Sequence, residues 1–109
     1  MSRRLLNEVR DELIGMGIVR NEAEFCVGWL GRGVGYMRTL RFVGQDPSAE
    51  AMSILASKVG HYTQRLWLAG ESQADWAARF DVLHQHCRAA LERHARLRWQ
   101  DGERMSYGQ

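Results

Sequence analysis

Three stretches carry residue types capable of chemistry. His84-Gln85-His86-Cys87 offers nitrogen and sulfur donors to a metal. Ligands on a helix share a face at i, i+3 or i, i+4 spacing. His84 and His86 would point about 200° apart, and Cys87 falls on an apolar stripe, so this stretch reads as packed helix and no metal is expected. Gly31-Arg32-Gly33-Val34-Gly35 is glycine-rich like a phosphate loop. It lacks the preceding strand a dinucleotide site needs, and its simpler role is a tight passage between two helices. Arg32, Arg38, Thr39, Arg41 and Gln45 gather cations and hydrogen-bonding groups around one short helix. They form either a solvated basic face or a binding face. Nothing makes a nucleophile triad or a paired-carboxylate site, so the chain reads as a non-enzyme without a cofactor.

The charge balance limits the partners. Fifteen Lys and Arg against 13 Asp and Glu give a net charge of +2, with a pI near 8.8. That permits contact with nucleic acid without demanding it, since dedicated domains often lie above a pI of about 9. Lys58 is the sole lysine. Cys26 and Cys87 lack CxxC spacing and any secretory context, which points to reduced thiols in a cytoplasmic protein. Arg3 and Arg4 are not followed by the apolar region of a signal peptide. No run approaches the ~18 apolar residues of a membrane span.

The elements that must position these residues are all helical. A chain of 109 residues, 45% hydrophobic, makes one domain. Apolar residues recur at helical spacing, and no strand-length alternation is present. The first helix is expected from Ser2 to Gly15, with Leu5, Leu6, Val9, Leu13 and Met16 on one face. Asn21 with Glu24 gives a capping box for the second, whose stripe is Phe25, Trp29 and Leu30. The third is expected from Val34 to Val43, with Tyr36, Met37, Leu40 and Val43 inward. Ser48 caps the fourth, which carries Met52, Leu55, Val59, Tyr62 and Leu66 and stops near Gly70. Ser72 and Asp75 form a second capping box. From there a long amphipathic helix runs to about Trp99 through Trp76, Phe80, Leu83, Cys87, Leu91, His94 and Leu97. Residues 1–70 thus make a core, 71–100 a helix packed on it, and 101–109 a frayed tail.

Residues Asn21 to Val59 carry a family resemblance. Phe25, Leu30-Gly31, Tyr36-Met37, Leu40 and Pro47-Ser48 fall in that order without a gap, followed by Leu55, Ala56 and Val59. This pattern resembles the helix-turn-helix of Cro/C1-type (Xre-like) repressors. The Trp29 to Gly33 stretch is also similar to short rhizobial proteins of unknown function with a Trp-Leu-Gly-Arg-Gly core. The resemblance implies an all-α five-helix bundle in which the third helix enters the major groove of double-stranded DNA. On that reading Arg38 pairs with guanine, Arg32 and Arg41 meet phosphates, and Val34, Gly35, Thr39 and Gln45 complete the face.

Three departures open a second reading. Glu22 stands where the family often places a neutral residue against phosphate, and a carboxylate there is repulsive. Gly33, Val34 and Gly35 occupy the usual base-reading stretch, where glycines read nothing. Arg41 replaces a frequent glutamate. The same scaffold can give up DNA and bind a regulatory protein, as do antiactivators encoded on bacterial mobile elements. A purely structural oligomerising module is a third reading. Leu91, Leu97 and Trp99, rimmed by Arg88, Arg93, Arg96 and Arg98, are the expected interface to a partner or to a second copy in a homodimer.

Overall fold

Apolar residues at three- and four-residue spacing set each helix and turn it toward a shared core. The computed structural model describes residues 2–107, and the side chains of residues 3–103. Five α-helices follow one another: α1 (Ser2–Gly15), α2 (Glu22–Trp29), α3 (Tyr36–Val43), α4 (Ala49–Leu68) and α5 (Ala74–Tyr107), with a 3-10 turn at Glu71–Gln73 ahead of α5. No strand occurs among the described residues. The chain is all-α, and α5, at 34 residues, is its longest element.

The core joins all five helices. Leu6, Val9 and Leu13 from α1 meet Phe25 and Cys26 from α2, Met37 and Leu40 from α3, Leu55 and Val59 from α4, and Phe80, Leu83 and Cys87 from α5. α4 against α5 is the most extensive packing in the molecule. Gly60 makes room for an α5 side chain there: a Cβ would stand 2.6 Å from His84 Nε2, so the missing side chain seats the His84 ring. A glycine in mid-helix, costly in propensity, is explained by that contact. His86 points elsewhere, its Nδ1 3.0 Å from Glu8 Oε1 of α1. Both thiols are buried, and burial pushes that of Cys87 up to about 12.

The helix ends show which local signals operate. Asn21 caps α2, its Oδ1 accepting from the Glu24 N–H at 2.9 Å. Glu24 does not close the box on Asn21; its carboxylate accepts from the Arg20 backbone and side chain instead. Ser48 caps α4 through the Ala51 N–H at 3.1 Å. The expected Ser72–Asp75 box gives way to the 3-10 turn, entered through Gly70 at φ 98°. α3 begins at Tyr36, two residues late, because Gly35 is its N-cap and offers no side chain to the free N–H groups. Val43, expected inward, is half exposed. α5 runs on to Tyr107, so residues 101–107 are helix and not a frayed tail. Residues 108 and 109 lie outside the described residues. The apolar period runs on to Trp99 although burial ends at Leu91, so neither signal marks where the helix stops.

From Glu92 to Glu103 every side chain of α5 is exposed. Leu97 is 60% and Trp99 53% exposed. A helix of this length is about 50 Å long, and it accounts for a molecule measuring 58 × 30 × 18 Å.

Two measurements check this description. Gly31 holds φ 64°, and an added Cβ would meet Ile54 Cδ1 at 2.9 Å. Gly31→Ala is expected to lower unfolding free energy by about 1–2 kcal/mol in chemical denaturation, whereas Gly33→Ala, in open space, stays near neutral. A chain ended after Leu91 is expected to lose helical circular dichroism while keeping its denaturation midpoint; unfolding of that chain would show the exposed half of α5 to be structural.

Candidate functional site

The turn between α2 and α3 follows from its glycines. Gly31 takes the left-handed conformation that ends α2, and the Arg32 N–H reaches back to the Cys26 carbonyl at 3.0 Å. α3 then buries Met37 and Leu40 and exposes its other side. Gly44, at φ 68°, closes it, with its N–H and that of Gln45 donating to the Leu40 carbonyl. Val34 and Gly35 belong to the turn, not to the helix.

The arginines of this region divide by what holds them. Arg41 forms a paired contact with Glu22, Nη1 to Oε1 at 2.8 Å and Nη2 to Oε2 at 2.9 Å. Arg10 Nη1 of α1 donates to the same Oε1 at 2.6 Å. Glu22 therefore sits between two guanidiniums at the N-terminus of α2. The hydrogen bonds from Arg41, joined by the one from Arg10, lower its carboxyl from 4.5 to about 2 against the opposing cost of burial. Arg32 donates through Nη2 to Ser48 Oγ at 2.9 Å and Glu50 Oε2 at 3.1 Å. Its guanidinium lies 5.6 Å from the Tyr36 ring centroid, and the Tyr36 hydroxyl accepts from the Ser48 N–H at 3.0 Å. Arg32 thus latches the turn to the start of α4.

Arg38 is different. It is exposed, folds back so that Nη2 lies near Gly35, and has no acidic partner among the described residues. Thr39 and Gln45 are exposed beside it. Across α3 from these, Arg3, Arg4 and Asn7 of α1 line a groove of about 550 Å³ with Arg41. Arg3 lies 3.9 Å from Asp46, and Arg4 carries no partner among the described residues.

The exposed surface here also carries apolar residues: Phe42 is 90% exposed and Val43 half exposed at the end of α3, and Val34 is 64% exposed in the turn before it. Phe42 lies one turn after Arg38, so the two share the outer face of α3. Phe42 sits two residues beyond Leu40, off the inward stripe, so inward periodicity does not single it out. That offset, about 200° around a helix, is itself the signal: a large aromatic aimed away from the core.

The expected partner residues on α5 do not converge. Leu91 is half buried against the core, while Leu97 and Trp99 stand on nearly opposite sides of the exposed extension. Among the described residues no group of three His, Cys, Asp or Glu could hold a metal ion. Among the described residues no helix is long and apolar enough to cross a membrane.

A family profile matches residues 6–100. The chain belongs to that family of unknown function (DUF6626). The DUF6626 match takes in α2, the glycine turn, α3, and α5 as far as Gln100. No curated protein and no solved structure matches the chain.

The charge of Glu22 gives a pH signature. A carboxyl lowered to about 2 in the fold from 4.5 adds stability that is complete above 4.5 and is lost as pH falls through about 2. Carbon-detected titration should place the Glu22 midpoint near 2, and Glu22→Gln should remove that part of the acid dependence. A midpoint at 4.5 would mean that the two arginines do not hold the carboxylate.

Proposed function

We propose that this member of DUF6626 is a helix-turn-helix regulator of transcription that works by binding another protein through the outer face of α3. The exposure of Phe42 carries this reading. A phenylalanine left 90% in water on the outer face of a helix resembles the apolar centre of a protein interface, and Arg38, one turn before it, resembles part of an arginine-containing rim. Affinity for a duplex comes chiefly from cations that neutralise phosphates. Here Arg41 and Arg32 are already paired with Glu22 and Glu50, and Glu22 adds a negative charge where phosphate would pass. The reading places a cytoplasmic, non-enzymatic chain in the class of antiactivators and similar small regulators.

Double-stranded DNA is the second reading, favoured by the lack of acidic partners for Arg38 and Arg4 beside α3. The two separate in one set of measurements. A photo-crosslinking residue at position 42, in the native host, should capture one regulatory protein. Phe42→Ala should weaken that complex by about 2 kcal/mol, roughly thirtyfold, with the fold unchanged. Duplex binding should be absent even at low ionic strength. Duplex binding that falls steeply with salt and weakens in Arg38→Ala, with no crosslink from position 42, would overturn the protein reading in favour of DNA.

A further inference from the structure

A second site lies away from α3. We infer that the groove bounded by α2, α4 and the start of α5 binds a small aromatic carboxylate. Its space is about 560 Å³, within the range of small-molecule sites, and no residue of α3 lines it.

The lining selects the ligand. Trp29, Tyr62, Trp76 and Phe80 face this space together with Leu66. Trp29 lies 5.7 Å from Tyr62 and 6.4 Å from Phe80, centroid to centroid, at interplanar angles of 38° and 47°. Phe80 and Trp29 are buried and form the floor, while Tyr62 and Trp76 keep more than a third of their surface in water and form the rim. Tilted rings lining the floor and rim suit a flat aromatic guest, which gains from offset and edge contacts.

Lys58 sets its charge. This sole lysine stands in the wall with Nζ 4.5 Å from the Trp29 ring centroid, donating to the Gly28 carbonyl at 2.6 Å. An ammonium has three donors, and no carboxylate pairs with this one among the described residues. Glu24 borders the same groove, but its carboxylate is engaged by Arg20. An aromatic cation would meet the repulsion of Lys58 and a neutral ring would leave its charge uncompensated. A ring bearing a carboxylate can stack and accept a charge-assisted hydrogen bond.

Nuclear magnetic resonance of the full chain, with 2-naphthoate and its neutral analogue 2-naphthamide as probes, tests this. Naphthoate should move the indole N–H signals of Trp29 and Trp76 and leave those of Trp67 and Trp99 in place. It should bind about tenfold more tightly than the amide, the worth of one charge-assisted hydrogen bond. Lys58→Met, which keeps the stem against Trp29, should abolish that preference. Three results overturn the inference: unmoved Trp29 and Trp76 signals at millimolar probe, equal affinity for the two probes, or a preference that survives Lys58→Met. The comparison of the two probes on the unaltered chain decides the matter even if the variant does not fold. Because the groove excludes α3, its outcome is independent of what α3 binds.

Discussion

One carboxylate ties three helices together. Glu22 opens α2, accepts from Arg10 of α1 and takes both ends of the Arg41 guanidinium of α3. Its position at the N-terminus of α2 also suits the helix dipole, which favours an anion there. The arrangement fixes how α3 is presented, since Arg41 is anchored on the same flank of the helix that sinks Met37, one turn before it, and Leu40. It also spends the charge of Arg41 inside the molecule. What α3 then offers outward is Arg38, Thr39 and, above all, Phe42.

The turn before α3 is held by a second set of polar contacts that leaves less freedom still. Gly31 supplies a conformation that a side chain would strain, and Arg32 crosses from the turn to Ser48 and Glu50. Tyr36 covers the same junction from above, through its hydroxyl and its ring. The entry of α3 is thus tied to the start of α4, and α4 in turn packs along α5. A surface built in this way arrives preformed, so a partner has little ordering to impose on it.

The sequence showed the helices and their inward faces because burial imposes a period. Phe25, Leu30, Met37, Leu40, Leu55, Val59 and Leu83 stand out by spacing alone, and all are buried. What periodicity cannot show is a contact between side chains distant in the chain. Glu22 meets Arg10 and Arg41 across 12 and 19 residues, so Glu22 read as an obstacle to phosphate and Arg41 as a phosphate contact before their pairing was visible. The same limit applies to Arg32, which looked free and is latched. Boundaries set by capping side chains were legible at Asn21 and Ser48. The start of α3, left to a glycine without a capping group, and the end of α5, where no buried residue marks the stop, were not.

The exposed part of α5 has a mechanical meaning. Beyond Leu91 the helix carries its last turns clear of the bundle on an arm of about 25 Å, rising 1.5 Å and turning 100° with each residue. Reach along such an arm changes slowly with length, but bearing changes fast. Leu97 and Trp99 differ by only two steps, yet they face opposite directions. Loss or gain of a single residue between Glu92 and Arg96 would barely alter how far the tip extends and would swing everything on it by more than a quarter of a circle. The register of this segment is therefore an angular setting, fixed by the packing of Phe80, Leu83 and Cys87 at its root.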